Sequence, residues 1–168
     1  MENTRMIPTS DRGPTITYLI DAAFDVAIKH IREASAVKQL SIAAQFNASR
    51  RLNRALGLRL SRCQILFVES PLLLLEAMAI DRCSAVFIPL HLVVSDAGKQ
   101  TLVHLLNPEY LRADDAPLGI RIPVKRLLGQ LINMLDEIAR PAFTTDHLTE
   151  RDDLGARPWS EHTREKQR

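Results

Sequence analysis

The chain has 168 residues, of which 46% are hydrophobic and 25% are charged, and its formal net charge is +2. A chain of this length and composition can build one compact domain with a real core, and it is too short for two full-sized domains. Because 22 basic residues are nearly balanced by 20 acidic ones, the overall charge gives no reason to expect nucleic acid or an anionic membrane as a partner.

No targeting or membrane segment is indicated. The first 13 residues lack the apolar core of a secretion signal. The longest apolar run, from Leu72 to Ile80, is interrupted by Glu76 and is about half of the roughly 20 residues that a membrane-spanning helix needs. Two cysteines without a second pair of metal ligands are typical of a reducing compartment. These features predict a cytoplasmic protein without membrane contact, bound metal or cofactor.

The first elements follow a flexible leader, residues 1–14. Residues 15–20 alternate and are rich in β-branched and aromatic side chains, which predicts a half-buried strand. Asp21 stands where a helix N-cap is expected. The next apolar residues recur with the spacing of an amphipathic helix that packs on a sheet: Phe24, Ala27, Ile28, Ile31 and Ala34.

Residues 40–46 alternate again and predict a second strand, with Ile42, Ala44 and Phe46 on one side. A short helix is predicted over residues 49–56. Gly57 ends it, because glycine accepts the positive φ of a helix C-terminal cap without penalty.

Three apolar runs in the middle of the chain, at residues 64–68, 87–94 and 101–106, predict three further strands. The turn at residues 96–99, with Gly98 in a left-handed position, joins the last two as a hairpin. Between the first two runs, four consecutive leucines make a helix that is apolar on every face. Its two sides must be covered by the sheet and another helix, by a dimer contact, or by an apolar cavity.

The last element is a helix that opens at Pro123 and ends before Arg140 and Pro141. Its stripe comprises Val124, Leu127, Leu128, Leu131, Leu135 and Ile138. Residues 142–168 carry many charges and almost no aliphatic side chains, so they predict a disordered tail.

The order of four short motifs resembles the family called domain of unknown function 302. They are Leu56-Gly57-Leu58, Ile65-Leu66-Phe67 running into Ser70-Pro71, Ile88-Pro89-Leu90, and Asn107-Pro108-Glu109-Tyr110-Leu111. The resemblance implies a single α+β domain over residues 15–141, with a mostly antiparallel sheet in two layers and the order strand, helix, four strands, helix. It also implies that dimers are common and that no activity is settled.

The sequence departs from the family pattern at two places. Glu69-Ser70-Pro71 replaces an Asn-Pro corner. Asn47-Ala48-Ser49 stands where many members carry an Asp-His pair, so no catalytic histidine is carried over.

The corner after the third strand is the first candidate site. Ser70 and Glu69 can act structurally, as an N-cap and as a carboxylate at the positive end of the helix dipole. Alternatively, Glu69 is a polar anchor in an apolar pocket at a strand end. The pocket predicted on that interpretation is lined by Glu69, Ser70, Pro71, Met78, His91 and Asn107.

Two residue pairs offer redox or metal chemistry. The favoured interpretation of His91 and His104 is that both are exposed surface residues. Alternatively, if the hairpin turn is centred on residues 97 and 98, they lie nearly opposite and can bind a metal or sense pH. Cys63 and Cys83 are either buried inert thiols or a redox pair, which requires Cα atoms within about 7 Å.

A cluster of basic residues forms the third candidate, because no acidic residue occurs between Glu33 and Glu69. Its members are Lys38, Arg50, Arg51, Arg54, Arg59 and Arg62. Most such faces are solvated or paired with carboxylates. Nucleic-acid contact would rest on charge alone, because no aromatic residue is interleaved with the basic ones. This interpretation is therefore disfavoured.

The favoured hypothesis is a dimeric, non-enzymatic binding module with an apolar pocket for a small ligand or a protein partner. The alternatives are a small redox or metal-linked enzyme that uses Cys63 and Cys83 or the two histidines, and a nucleic-acid contact. No catalytic residue is assigned, because no nucleophile and base, or carboxylate pair, has a spacing that forces the two groups together.

Overall fold

The structure is a computed structural model that describes residues 15–107 and 118–142. The predicted leader, most of the predicted tail, and the motif residues after Asn107 lie outside the described residues. The elements in chain order are β1 (Thr15–Ile20), α1 (Phe24–Val37), β2 (Ser41–Asn47), α2 (Ala48–Leu56), β3 (Cys63–Glu69), α3 (Pro71–Ile80), a 3-10 helix (Arg82–Phe87), β4 (Leu90–Ala97), β5 (Gln100–Leu106), α4 (Leu118–Ile138) and β6 (Arg140–Pro141).

The strands form one six-stranded sheet in the order β2-β3-β4-β5-β1-β6. Every pairing in it is antiparallel. The predicted α+β class with an antiparallel sheet is therefore confirmed. The sheet also contains β6, which the sequence did not predict, and Pro141 fits there because an edge strand can lack one donor.

One face of the sheet carries the core. Alternate strand residues are buried together with the inner sides of α1, α3 and α4 in a single hydrophobic cluster. On the strands the buried set includes Tyr18, Ile20, Leu66, Val68, Leu92, Val94, Val103 and Leu105, and on α4 it includes Leu127, Leu128, Leu131, Met134 and Leu135. Complete burial of one such side chain contributes about 1.5–3 kcal/mol. We call this side the covered face.

The other face of the sheet is apolar as well, but it is only partly shielded. Its central positions are half-buried apolar residues that alternate with the core set, namely Leu19, Ile65, Phe67, Val93 and Leu102. Ile65 pairs with Val93, and Val93 pairs with His104, so these residues form continuous rows across the strands. We call this side the open face.

A β-bulge in β2 changes the predicted orientation of its side chains. Ile42 pairs with Val68, whereas Ala44 pairs with Phe67, so Ala43 is an extra residue in the ladder. Ile42 therefore lies on the covered face, while Ala44 and Phe46 lie on the open face. The prediction that all three share one side was wrong, because alternation alone does not reveal an inserted residue.

Two helix starts differ from the prediction. The N-cap of α1 is Ala23, without a side-chain cap, because the Asp21 carboxylate instead accepts hydrogen bonds from Gln100 and Arg140. Helix α4 begins at Leu118, and Pro123 lies inside it rather than at its start. Pro123 lies in the second turn, where a proline removes one backbone hydrogen bond and its ring crowds the carbonyl four residues earlier, so α4 contains it at a cost in stability.

Two glycine positions and the hairpin agree with the sequence. Gly57 has φ of 66° at the end of α2, and Gly98 has φ of 81° in the turn between β4 and β5. The peptide bond between Ile88 and Pro89 is cis. No helix among the described residues is long and apolar enough to cross a membrane.

Helix α3 is covered on one side only. Leu73 and Ala77 are buried, whereas Leu72 and Leu75 are 61% and 65% exposed. Since residues 15–107 and 118–142 leave the outer side uncovered, cover on both sides by the sheet and another helix is ruled out for this part of the chain. A dimer contact and an apolar cavity wall stay as the two remaining interpretations.

Candidate functional site

The corner between β3 and α3 brings three of the predicted pocket residues together. Glu69 ends β3 and accepts a long hydrogen bond of 3.4 Å from the Ser41 hydroxyl. Ser70 is the N-cap residue of α3, although its side chain makes no capping bond, and Pro71 is in the first turn. The predicted N-cap position is therefore correct, while the predicted capping bond is absent.

The other three predicted pocket residues lie on three different elements or their ends. Met78 is exposed on α3, about two turns from Pro71. His91 lies on the open face, where its ring meets that of Phe67 edge to face at 4.9 Å. Asn107 is buried directly after β5. The predicted pocket residues are thus distributed over the corner at Glu69, the surface of α3, the open face of the sheet and the buried end of β5.

The two histidines do not face each other. Ala97 pairs with Gln100, so the turn is formed by Gly98 and Lys99, one residue later than predicted. Consequently Val93, rather than His91, is opposite His104. The imidazole Nδ1 of His104 is 3.0 Å from the hydroxyl of Thr17 on β1, and burial lowers the pKa of His104.

Within residues 15–107 and 118–142, no three His, Cys, Asp or Glu side chains are placed to hold one metal ion. Both cysteines are free thiols. Cys63 is half-buried, with its sulfur 3.9 Å from the Ser95 hydroxyl, whereas Cys83 is exposed in the 3-10 helix. The prediction of two buried thiols was therefore wrong for Cys83, because α3 is followed by a surface segment rather than by a buried strand.

A partly buried hydrogen bond that the sequence did not reveal joins Tyr18 on β1 to the exposed Asp136 on α4. The Tyr18 hydroxyl donates a hydrogen bond of 3.2 Å to the Asp136 carboxylate. Burial raises the pKa of Tyr18 well above its usual range, and the nearby negative charge of Asp136 adds to the effect. No local pattern marks this pair, since the two residues are 118 positions apart. It adds a polar contact to the apolar packing of α4 on the sheet.

Two of the six predicted basic residues are neutralised by carboxylates. Lys38 is 2.5 Å from Glu137 on α4. Arg62 is 2.7 Å from Asp25 and 2.9 Å from Asp96, and these hydrogen bonds raise the pKa of Arg62. Neither residue is therefore available as an unpaired cation.

The other four basic residues have no such partner in the described part of the chain. No described carboxylate lies within 4 Å of the guanidinium groups of Arg50, Arg51, Arg54 or Arg59. A shallow groove of about 490 Å³ runs along α2 and is lined by Asn47, Arg50, Arg51, Arg54 and Ala55.

An aromatic ring stands beside this groove. The Arg51 guanidinium is 5.7 Å from the ring centre of Phe46, which is 37% exposed. Phe46 belongs to the edge strand β2, so the sequence alone did not associate it with the arginines of α2. We call Phe46, Asn47, Arg50, Arg51 and Arg54 together the α2 basic surface.

A second groove, of about 440 Å³, lies between α1 and the edge strand β2. Its lining combines apolar and polar residues, namely Arg32, Ser35, Ala36, Leu40, Ile42, Ala44 and Gln45. Arg32 donates a hydrogen bond to Gln45 across it. None of the residues predicted for the ligand pocket lines this groove.

The fold and its surfaces define a two-layer α+β domain whose sheet is covered by helices on one face. Residues 16–138 match the family described as Domain of unknown function DUF302, and the chain belongs to this family. The resemblance inferred from the motifs is thereby confirmed.

The crystal structure of an uncharacterized conserved protein DUF302 from Bacillus stearothermophilus is similar in fold, with a TM-score of 0.66 and 18% sequence identity. The match covers 74% of this chain and 98% of that chain. At this identity the similarity shows the fold alone. No curated protein matches the sequence.

Proposed function

We propose that this protein is a non-enzymatic, cytoplasmic binding module that acts as a homodimer, with the open face as its dimer contact. One observation carries the proposal: the sheet is apolar on both faces, but the described helices α1, α3 and α4 cover only one of them. The half-buried residues Ile65, Phe67 and Val93 lie next to one another on adjacent central strands. Contiguous exposed apolar surface of this kind marks interaction sites in soluble proteins.

Two polar pairs on the open face are already bonded within the chain. Thr17 and His104 already satisfy each other at 3.0 Å, and Cys63 is in contact with Ser95. Burying a polar group without a partner is costly, whereas a pair that is already bonded adds little penalty. A second copy would present the same surface, since a two-fold contact uses one patch on both subunits.

The ligand part of the proposal rests on the corner at Glu69 and on the outer side of α3. Leu72 and Leu75 form an exposed apolar stripe that begins one turn after this corner. Glu69 is half-buried and supplies a polar group at its edge. We place a small apolar ligand, or an apolar segment of a protein partner, against this stripe.

Sedimentation equilibrium at micromolar concentration tests the dimer. The wild-type protein is expected at twice the chain mass, and Val93→Glu is expected at the mass of one chain, because a carboxylate in the centre of the contact would be desolvated. Val37→Glu is the matched control, since Val37 is 78% exposed on α1 and lies away from the open face. A monomeric wild-type protein, or equal masses for both variants, contradicts the proposal.

Native mass spectrometry of freshly purified protein tests the ligand. An additional mass is expected on the wild-type protein and on Val37→Glu, and it should be lost in Leu75→Asp. Retention of the same mass by Leu75→Asp would place the ligand elsewhere. A wild-type protein without any additional mass would contradict the proposed ligand.

A further inference from the structure

We infer that the α2 basic surface binds single-stranded nucleic acid. Phe46 lies on the open face opposite Ile65, so this surface borders the proposed dimer contact. The inference goes beyond the proposed function and depends neither on a dimer nor on the stripe on α3. It rests on unpaired positive charge, on an exposed aromatic ring beside that charge, and on the position of both at an edge of the sheet.

This surface gathers three arginines without a described carboxylate partner on one short helix, whereas several other basic residues in the described part of the chain are paired. Five basic residues there have a carboxylate within 4 Å: Lys29, Lys38, Arg62, Arg126 and Arg140. By contrast, Arg50, Arg51 and Arg54 lie within one turn of α2 and have no described carboxylate at that distance. Like charges at this spacing repel one another, so a polyanion that lies along α2 would relieve the repulsion.

The aromatic ring adds a chemistry that charge alone does not supply. Phe46 is exposed on the edge strand, and the Arg51 guanidinium lies 5.7 Å from the centre of its ring. Unstacked bases pack on aromatic rings and on arginine planes, and adjacent cations bind the phosphates between them. The ring and the arginines of α2 therefore combine the two kinds of contact that single-strand binding uses.

Local bonds hold these groups in place before any ligand arrives. The side chain of Asn47 caps α2 by accepting a hydrogen bond of 2.8 Å from the backbone N–H of Arg50. At the following strand, the Ser49 hydroxyl accepts a hydrogen bond of 3.0 Å from the backbone N–H of Cys63. The first turn of α2 is thus fixed to both β2 and β3, which orients Arg50 and Arg51 relative to Phe46.

Single-stranded nucleic acid fits this surface better than a duplex or a membrane does. Phe46 lies at a sheet edge, where a base can reach it only if that base is not stacked within a duplex. The exposed leucines of α2, Leu52 and Leu56, make an anionic membrane the main competing partner. Binding to anionic vesicles is therefore measured beside binding to the oligonucleotide.

The test measures the fluorescence anisotropy of a labelled 20-nucleotide oligothymidine over a range of salt concentrations. Wild-type affinity is expected to fall with salt, with a logarithmic slope of about −2 for three neutralised phosphates. Arg50→Glu combined with Arg54→Glu should weaken binding by at least about ten-fold and reduce the slope. Phe46→Ala should weaken binding several-fold and leave the slope unchanged, because it removes stacking but no charge.

Lys29→Glu combined with Lys125→Glu is the matched control, since it makes the same charge change at exposed positions of α1 and α4. The control should bind like the wild-type protein. The inference is overturned if the wild-type protein does not bind the oligonucleotide at low salt, or if the control loses as much affinity as the arginine variant. It is also overturned if the protein binds a duplex more tightly and Phe46→Ala does not affect that binding. Binding to anionic phosphatidylserine vesicles without binding to the oligonucleotide overturns it as well. Sedimentation of the same variants keeps this result separate from the dimer, because the charge variants should retain the wild-type mass.

Discussion

The two faces of one sheet differ in cover far more than they differ in composition. Leu66 and Leu92 are fully buried, while their chain neighbours Ile65 and Val93 on the same strands are only half-buried. Runs that are apolar at every position are typical of strands buried on both faces. Here the second face has no helix over it among residues 15–107 and 118–142, although the composition of the strands is typical of a sheet that is covered on both faces.

The largest expected effect distinguishes the two faces by stability. Leu66→Ala should lower the free energy of unfolding by about 2–5 kcal/mol, because it leaves a cavity in the core. Ile65→Ala, one residue away on the open face, should cost about 1 kcal/mol in the monomer. Urea denaturation at low protein concentration measures both.

Equal losses at Leu66 and Ile65 would mean that the faces do not differ. If a second copy covers the open face, the loss at Ile65 should grow as the protein concentration rises, while the loss at Leu66 should not. This dependence follows from mass action, because only the dimer buries Ile65.

The helices allow a second and smaller test of what packing contributes. Helix α2 buries only Ser49, so its stability should depend on its cap, and Asn47→Ala should cost about 1 kcal/mol. Helix α3 is held by Leu73 and Ala77 and has no side-chain cap, so Ser70→Ala should cost less than about 0.5 kcal/mol. Hydrogen exchange of the two helices reports the two losses of stability separately. A larger loss for Ser70→Ala than for Asn47→Ala would contradict the expectation that α2 depends on its cap and α3 on its packing.

A still smaller effect is expected where the covered face ends. The Arg62 guanidinium is 4.8 Å from the ring centre of the buried Phe24 and also bonds Asp25 and Asp96. Arg62→Ala should destabilise the fold more than Arg126→Ala, which removes a single exposed ion pair with Glu76.

The Arg62 effect should depend on pH. The hydrogen bond from Arg62 lowers the pKa of Asp96 below its ordinary 3.8. The stability that this bond contributes is therefore present above pH 3.8 and is lost as the pH falls toward the lower pKa of the folded state. Thermal unfolding of the wild-type protein and Arg62→Ala from pH 6 to pH 2 should show the two converging. A constant difference would exclude the carboxylate as the cause.

The smallest effect concerns His104, the half-buried one of the two histidines on the open face. Burial holds the pKa of His104 below its ordinary 6.5, so the unfolded chain binds a proton first as the pH falls. Stability should decrease as the pH falls through 6.5 toward the lower pKa of the folded state, and less so in His104→Gln. If a second copy buries His104 further, the dimer should dissociate over the same range, which sedimentation at pH 7 and pH 5 measures.

The regular elements were predictable because their signals are local. The helical stripes of α1 and α4, the alternation in β1 and the turn at Gly98 all depend on neighbours within a few residues. The predicted centre of the hairpin turn was wrong by one position. Composition alone does not distinguish a turn at Ala97 and Gly98 from a turn at Gly98 and Lys99. That single step placed Val93 opposite His104 and separated the two histidines.

The candidate site was less predictable, because its properties depend on residues that are distant in sequence. The six basic residues look alike in the sequence, yet Glu137, Asp25 and Asp96 neutralise only Lys38 and Arg62. Likewise, Phe46 appeared to be an ordinary strand residue until the fold placed it beside Arg51.

The sequence by itself determined the family, the α+β class and most of the strands and helices, since these follow from periodicity, turn residues and the order of short motifs. Only the tertiary structure decided which face of the sheet is covered, which side of α3 is exposed and which arginines lack a carboxylate. The reason is physical: burial and charge pairing are set by contacts across the fold, such as the bond between Tyr18 and Asp136, and no local pattern encodes them.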